Sequence, residues 1–269
     1  MAGRRVVFLG TGGALNVERY QSSILVESGS VRILLDTGGG LGLVRRLLAA
    51  GIDPASVNHV FLSHRHLDHV GGLEPFILTV SLDARRRGVE PPPVTIYASE
   101  DSARAVNATL DAADAAGRGR LGARLRWATP AFAAREAVAP GVALTLVPVD
   151  HLPRGGGAAG CVVDLDGVRV AYSGDTMPSP ALAQAAHGVD LLIHEVGGLD
   201  AQADTVHVPY HSTAGEAGRI AAAAGARALA LFHLPSSAYA NPGELLAEAR
   251  RFAPDTDVFV TEDGAARPL

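Results

Sequence analysis

Short apolar runs alternate with longer amphipathic stretches along almost the whole chain. Residues 5–9, 23–27, 31–35, 59–62, 94–98, 142–147, 161–165, 168–173, 191–194, 228–232 and 258–260 are brief, apolar and often bounded by Gly, Asp or His, which predicts strands. Residues 42–50, 73–86, 102–115, 179–186, 213–224 and 242–252 read as helices. Two of these have legible starts. Ser212 or Thr213 with Glu216 can form a capping box, and Asn241-Pro242 supplies another N-terminus. Strands dominate the early part of each half and helices follow, which suits two sheets packed face to face with helices outside, although periodicity alone leaves the αβ topology open. The Arg- and Ala-rich stretch 117–137 is the least predictable, either a loop over a functional site or a plain surface connection.

Composition narrows the class. A chain of 269 residues, 48% of them hydrophobic, can bury a large core in one αβ domain spanning 1–269. The single cysteine, Cys161, excludes an intramolecular disulfide framework and is compatible with a reducing cytosol. No apolar run approaches the roughly 18 residues that a membrane span needs. Arg4-Arg5 precede only the brief apolar stretch 6–9, too short for a signal peptide. The expectation is a soluble cytoplasmic protein with no membrane partner. Net charge is −5 and all 23 basic residues are arginine, so polynucleotide binding has little electrostatic support. Arg85-Arg86-Arg87 before Pro91-Pro92-Pro93 reads as a helix end running into a stiff, solvated loop. Gly10-Thr11-Gly12-Gly13 lacks the third glycine of a dinucleotide loop, Leu15 standing in its place, and is read as a sharp turn after the first strand.

The chemistry concentrates in Ser63-His64-Arg65-His66-Leu67-Asp68-His69, which offers four metal ligands within six residues at a strand end. Zn²⁺ favours imidazole and accepts carboxylate. If the turn faces the body of the fold, His64 and His66 can point to one side and Asp68 and His69 to another. Two metals a few ångströms apart then become possible, an arrangement that activates water for hydrolysis. The bland alternative is a solvated polar loop rich in histidine.

Further pieces follow in order: Leu9-Gly10-Thr11-Gly12-Gly13, Leu34-Leu35-Asp36-Thr37-Gly38, His64 to His69, His151, Ser173-Gly174-Asp175-Thr176, His194-Glu195, His211-Ser212-Thr213 and Phe232-His233. With this ordered set, nearly the whole chain resembles the metallo-β-lactamase superfamily, and within it the ribonuclease Z-like branch. The resemblance implies a four-layer αβ/βα sandwich of two mixed sheets flanked by helices. It implies that His151 joins His64 and His66 on one metal, that His233 joins Asp68 and His69 on the other, and that Asp175 bridges both. Alone, His151 would read as structural and Asp175 as a helix cap. The resemblance also makes His211 a general acid rather than a ligand, with Asp68 accepting or orienting the proton of a hydroxide held between two Zn²⁺, Mn²⁺ or Fe being alternatives. A helix-capping neighbourhood is the competing reading of His211. Glu195 is placed to orient His211 or a ligand, while His59, His187, His194 and His207 are read as structural or surface residues.

Substrate is limited by two departures from the branch. His151 and Asp175 are only 24 positions apart, leaving no room for a tRNA-binding exosite arm. The segment His233-Leu234-Pro235-Ser236-Ser237-Ala238-Tyr239 lacks the arginine expected near its end. The expected substrate is therefore a small molecule and the expected enzyme a phosphodiesterase on small or cyclic phosphodiesters. Sulfatase, lactonase or thioesterase activity fits the same dinuclear core, and a non-catalytic metal-binding protein is a third possibility. The oligomeric state is not legible in the sequence; relatives of this type commonly dimerise, which leaves a homodimer open.

Overall fold

Alternation within the strands decides the layers. The computed structural model describes residues 3–114, 124–152 and 156–269. Its first sheet is built from β1 (Arg4–Gly10), β2 (Ser23–Ser28), β3 (Val31–Leu35), β4 (His59–Phe61), β5 (Val94–Tyr97) and β6 (Leu125–Ala128). The second takes β7 (Arg135–Ala139), β8 (Val142–Pro148), β9 (Ala159–Leu165), β10 (Val168–Tyr172), β11 (Leu191–Glu195), β12 (Ala228–Phe232) and β13 (Asp257–Val260). The last strand, β14 (Ala266–Pro268), returns to the free edge of β1.

The two seven-stranded sheets have the same plan: β14-β1-β2-β3-β4-β5-β6 and β7-β8-β9-β10-β11-β12-β13 each begin with three antiparallel pairings and end with three parallel ones. Successive side chains of a strand face opposite ways. Val6 and Phe8, Ile33 and Leu35, Val170 and Tyr172, and Ala230 and Phe232 therefore enter one core between the sheets. Val7, Leu9 and Leu34 pack outward under α1 (Gly42–Ala49), α3 (Leu73–Arg86) and α4 (Glu100–Asp114). Leu192, Leu229 and Leu231 pack outward under α5 (Pro180–Ala185), α7 (Ala214–Ala224) and α8 (Pro242–Phe252). Three cores separate four layers, the αβ/βα sandwich that the sequence resemblance implies.

The caps behave as their residues dictate. Thr213 accepts from Glu216 N–H while the Glu216 carboxylate accepts from Thr213 N–H, and Asn241 caps a helix opened by Pro242. Three strands were not foreseen. Residues 124–137 of the unpredictable stretch neither form a loop over the site nor a plain connection: they add β6 and the start of β7 to one edge of each sheet. The remainder of that stretch, 117–123, lies outside the described residues. Edge strands read poorly from sequence because only partial burial disciplines their pattern, as the half-exposed β6 and β7 show. No helix among the described residues is long and apolar enough to cross a membrane.

Candidate active site

The site lies where strand ends from both sheets meet. Beyond β4 the chain passes through Ser63 into the histidine run, and a single helical turn, α2 (Leu67–Val70), lifts Asp68 and His69 from it. Beneath this turn is Asp36, fully buried just past β3 with a positive φ of 55°. Its carboxylate accepts from Ser63 N–H at 2.8 Å, Ser63 Oγ at 2.6 Å and Tyr172 Oη at 2.8 Å, and it holds His69 Nδ1 at 2.8 Å. With Nδ1 engaged, His69 presents Nε2 to the site. Thr37 adds a second clamp, its N–H and Oγ1–H both donating to the His69 carbonyl.

The second sheet contributes its residues singly. His151 follows β8; Asp175 follows β10 through Gly174, whose φ of 58° and approach to Ser63 leave no room for a side chain. A Cβ there would lie 2.8 Å from that of Ser63. Glu195 ends β11 and His233 follows β12. His211 comes after α6 (Ala203–Val206) through Tyr210, another residue with positive φ, at 62°. Of the five non-glycine residues with positive φ among those described, Asp36, Tyr210 and His233 surround this site, a local concentration of backbone strain that suits function.

All seven residues expected as ligands converge. His64 Nε2 is 2.9 Å from His66 Nδ1, which is 3.2 Å from His151 Nε2. Asp68 Oδ2 lies 3.3 Å from His69 Nε2 and 3.4 Å from His233 Nε2. Between these groups stands Asp175, its Oδ2 3.2 Å from His69, 3.3 Å from His233, and 3.8 Å from both His64 and His151. Among the described residues four sets of donor atoms each span no more than 4.8 Å: His64/His66/His151 and Asp68/His69/Asp175/His233 consist wholly of the expected ligands, while His151/Asp175/His211 and Glu195/His211/His233 share His211.

The donors fit metal ions. Buried polar atoms need partners, yet His69 Nε2 and Asp175 Oδ1 are buried without a hydrogen bond. Protonation also suits ligation, which needs neutral imidazole and ionised carboxylate. Burial, reinforced by neighbouring histidines, holds His64 well below the ordinary histidine value and lowers His66, and burial lowers His151 despite Asp175. Burial opposes ionisation of Asp68 and Asp175, but the surrounding imidazoles outweigh it and hold both below the usual carboxylate range. His69 behaves differently: burial disfavours its charge, yet Asp175, Asp36 and Asp68 together hold it well above normal. The second group is thus strongly acidic in character and the first purely imidazole.

His211 stands beside both groups, its ring 5.0 Å from that of His151 and stacked at 5.2 Å on that of His233. Its Nδ1 is 3.0 Å from Glu195 Oε1, which also accepts from Thr176 N–H at 3.0 Å and Ser212 N–H at 3.1 Å. Burial works against a charged His211, but the Glu195 carboxylate prevails and its pKa is raised to about 9. Glu195 therefore faces His211 rather than the histidine–aspartate cluster's first turn. The four remaining histidines sit elsewhere: His194 is fully buried, His207 pairs with Glu216, His59 contacts Tyr97, and the His187 carbonyl accepts from Arg169. The residue that sequence reasoning left without a role is Asp36. Its sequence signal is its place in Leu34-Leu35-Asp36-Thr37-Gly38, one of the pieces that carry the resemblance, where it ends the apolar run 33–35.

Comparisons with known proteins place the chain among relatives. A family described as "Anti-Pycsar protein Apyc1" matches residues 4–215. The chain is 31% identical to a ribonuclease Z of Aeropyrum pernix, over 93% of this chain and 94% of that one. In structure it resembles the metallo-β-lactamase fold protein YhfI of Bacillus subtilis, with a TM-score of 0.81 at 21% identity over 99% of this chain and 100% of the other. It also resembles the short form of human tRNase Z, with a TM-score of 0.77 at 20% identity over 98% of each chain.

Proposed function

The chain belongs to the ribonuclease Z-type metallo-β-lactamase family of metal-dependent hydrolases, and from that premise we propose that it cleaves small or cyclic phosphodiesters, 3′,5′-cyclic nucleotides foremost, at a two-metal centre. The carrying observation is Asp175 Oδ2, which stands within 3.8 Å of four histidine nitrogens drawn from both groups. His64, His66 and His151 would hold one ion and Asp68, His69 and His233 the other, Asp175 serving both, with zinc suited to this donor set. Bound metal supplies Lewis acidity, polarising phosphoryl oxygens and making water nucleophilic near neutral pH.

The chain's own groups do the rest. Asp68, ionised and only partly exposed, orients the attacking water and takes its proton as the new P–O bond forms. His211, charged at neutral pH and steadied through Nδ1 by Glu195, gives its Nε2 proton to the departing alkoxide as the old P–O bond breaks. Glu195, fixed by two backbone N–H groups, keeps the imidazole ring aimed and favours its protonated form. The small substrate is supported by the Apyc1 match and by the direct succession of β8, β9 and β10 along the second sheet.

Zinc- or manganese-loaded protein tested against a cyclic nucleotide, a precursor tRNA, an aryl sulfate, a lactone and a thioester decides the matter. Cyclic-nucleotide turnover at least tenfold above the others, by kcat/KM, is the expected result (about 1.4 kcal/mol of discrimination). Turnover confined to the carbon or sulfate esters would overturn the phosphodiesterase reading, and preference for precursor tRNA would overturn the small-substrate part of it.

A further inference from the structure

We propose that Arg65 is the anion-recognition residue of this site, binding a phosphate oxygen of the substrate; this rests on the phosphodiesterase reading above. Arg65 stands between His64 and His66, exposed on the same turn. Its side chain crosses to the loop that follows His151: Nη1 donates to the Gly156 carbonyl at 3.3 Å, and the Gly156 α-carbon faces Leu152. The guanidinium thus spans the two segments that carry His64, His66 and His151.

Its pairing is what sets it apart. Among the described residues, that single long contact to a carbonyl is its only hydrogen bond, and no carboxylate lies within ion-pair distance. Among the described residues, Arg19 pairs with Glu262 at 2.9 Å and Arg46 with Asp263 at 2.8 Å. The segment from His233 to Tyr239, on the other side of the cluster, contains no basic residue. A guanidinium carries five N–H donors in a planar fork. Arg65 therefore keeps most of its donors for a ligand, and a phosphate oxygen would give a shorter, charge-assisted bond than the carbonyl does. A neutral ester offers no such gain. Arg65 acts by binding and selects for charge, while the bond-making groups lie elsewhere.

The test compares wild type, Arg65→Ala and Arg65→Lys for cyclic-nucleotide KM and kcat, for inhibition by inorganic phosphate, and for bound metal. The expected outcome for Arg65→Ala is a KM and a phosphate Ki raised about tenfold or more, kcat within about threefold, and metal content unchanged. Arg65→Lys, which keeps the charge and loses the fork, should recover part of the loss. Unchanged KM and Ki in an active enzyme would overturn the role of Arg65 and leave the phosphodiesterase reading intact. Loss of metal together with activity would make Arg65 a structural clip and overturn it too. Absence of phosphodiester turnover by wild type would overturn both readings together. Should Arg65→Ala not fold, Arg65→Gln carries the same measurements.

Discussion

The two sheets share one strand plan but serve the site in different ways. The first supplies His64, His66, Asp68 and His69 from a single turn, locked from below by Asp36, Ser63 and Thr37. The second supplies His151, Asp175, His211 and His233 from four separate connections, each aimed by the strand or helix before it. One half is prearranged by local hydrogen bonds and the other by the packing of a whole sheet. Asp36 and Asp175 make the contrast concrete. Both follow the fourth strand of the plan, β3 and β10, yet Asp36 turns beneath the turn to position it while Asp175 projects between the two histidine groups.

The largest break in this arrangement should come from Asp175→Ala, because among the described residues that carboxylate alone lies within 3.8 Å of histidines from both groups. Activity should fall on the order of 10³-fold, about 4 kcal/mol of barrier, and bound metal should drop from two ions to one or none. Elemental analysis alongside kinetics checks it. Retention of two ions would remove Asp175 from its bridging place. His211→Ala should fall next, by about 10²-fold in kcat, with metal content intact. Its pH profile carries a sign. A general acid works while protonated, so with a pKa raised to about 9 kcat should hold through neutrality and decline as pH rises past that value. Glu195→Gln removes the charge that raises it, so the decline should move to lower pH. A profile unaffected by Glu195→Gln would separate the pair from the proton transfer.

Asp36→Asn sharpens the comparison from the other side. It leaves every proposed ligand in place but weakens the hold on His69 and replaces an acceptor of Ser63 and Tyr172 with an amide. Partners of ligating histidines are worth about 10–100-fold in metal affinity. The expected loss falls mainly on the Asp68/His69 group, since Asp36 reaches His64 only through Ser63 Oγ, 3.0 Å from His64 Nδ1, so titration with zinc should show one site weakened more than the other. Equal weakening of both would mean that the turn moves as a unit. The same contrast explains how much could be read from sequence. Four ligands in six residues announce themselves through composition at one spot. His151, Asp175 and His233 are isolated residues at strand ends, legible only as members of an ordered set, since their chemistry appears when distant strands pair. Asp36 was less legible still, because a carboxylate that acts through a neighbour's Nδ1 leaves no spacing of its own. The edge strands β6 and β7 escaped for the opposite reason, having too little burial to impose alternation.

The smallest effect should separate holding the first sheet from running the site. Glu27, buried on β2, accepts from Arg5 Nε on β1 at 2.5 Å and from Arg32 Nε on β3 at 2.6 Å, tying three antiparallel strands by charge. Burial opposes its ionisation, but the two guanidinium groups outweigh that and lower its pKa below the ordinary 4.5. A carboxyl whose folded-state pKa is depressed adds stability that is present above the unfolded value and is lost as pH falls through the folded one. Glu27→Gln should therefore cost about 1–2 kcal/mol at neutral pH, the worth of charge-assisted hydrogen bonds. The gap between variant and wild type should close as the pH drops below that ordinary value. Chemical denaturation across a pH series measures it. Because Glu27 lies on the strands away from the histidine turn, zinc stoichiometry and kcat should be unchanged in the folded variant. If they fell with stability, the turn would depend on the register of β1 to β3, and the first half would be no more self-contained than the second.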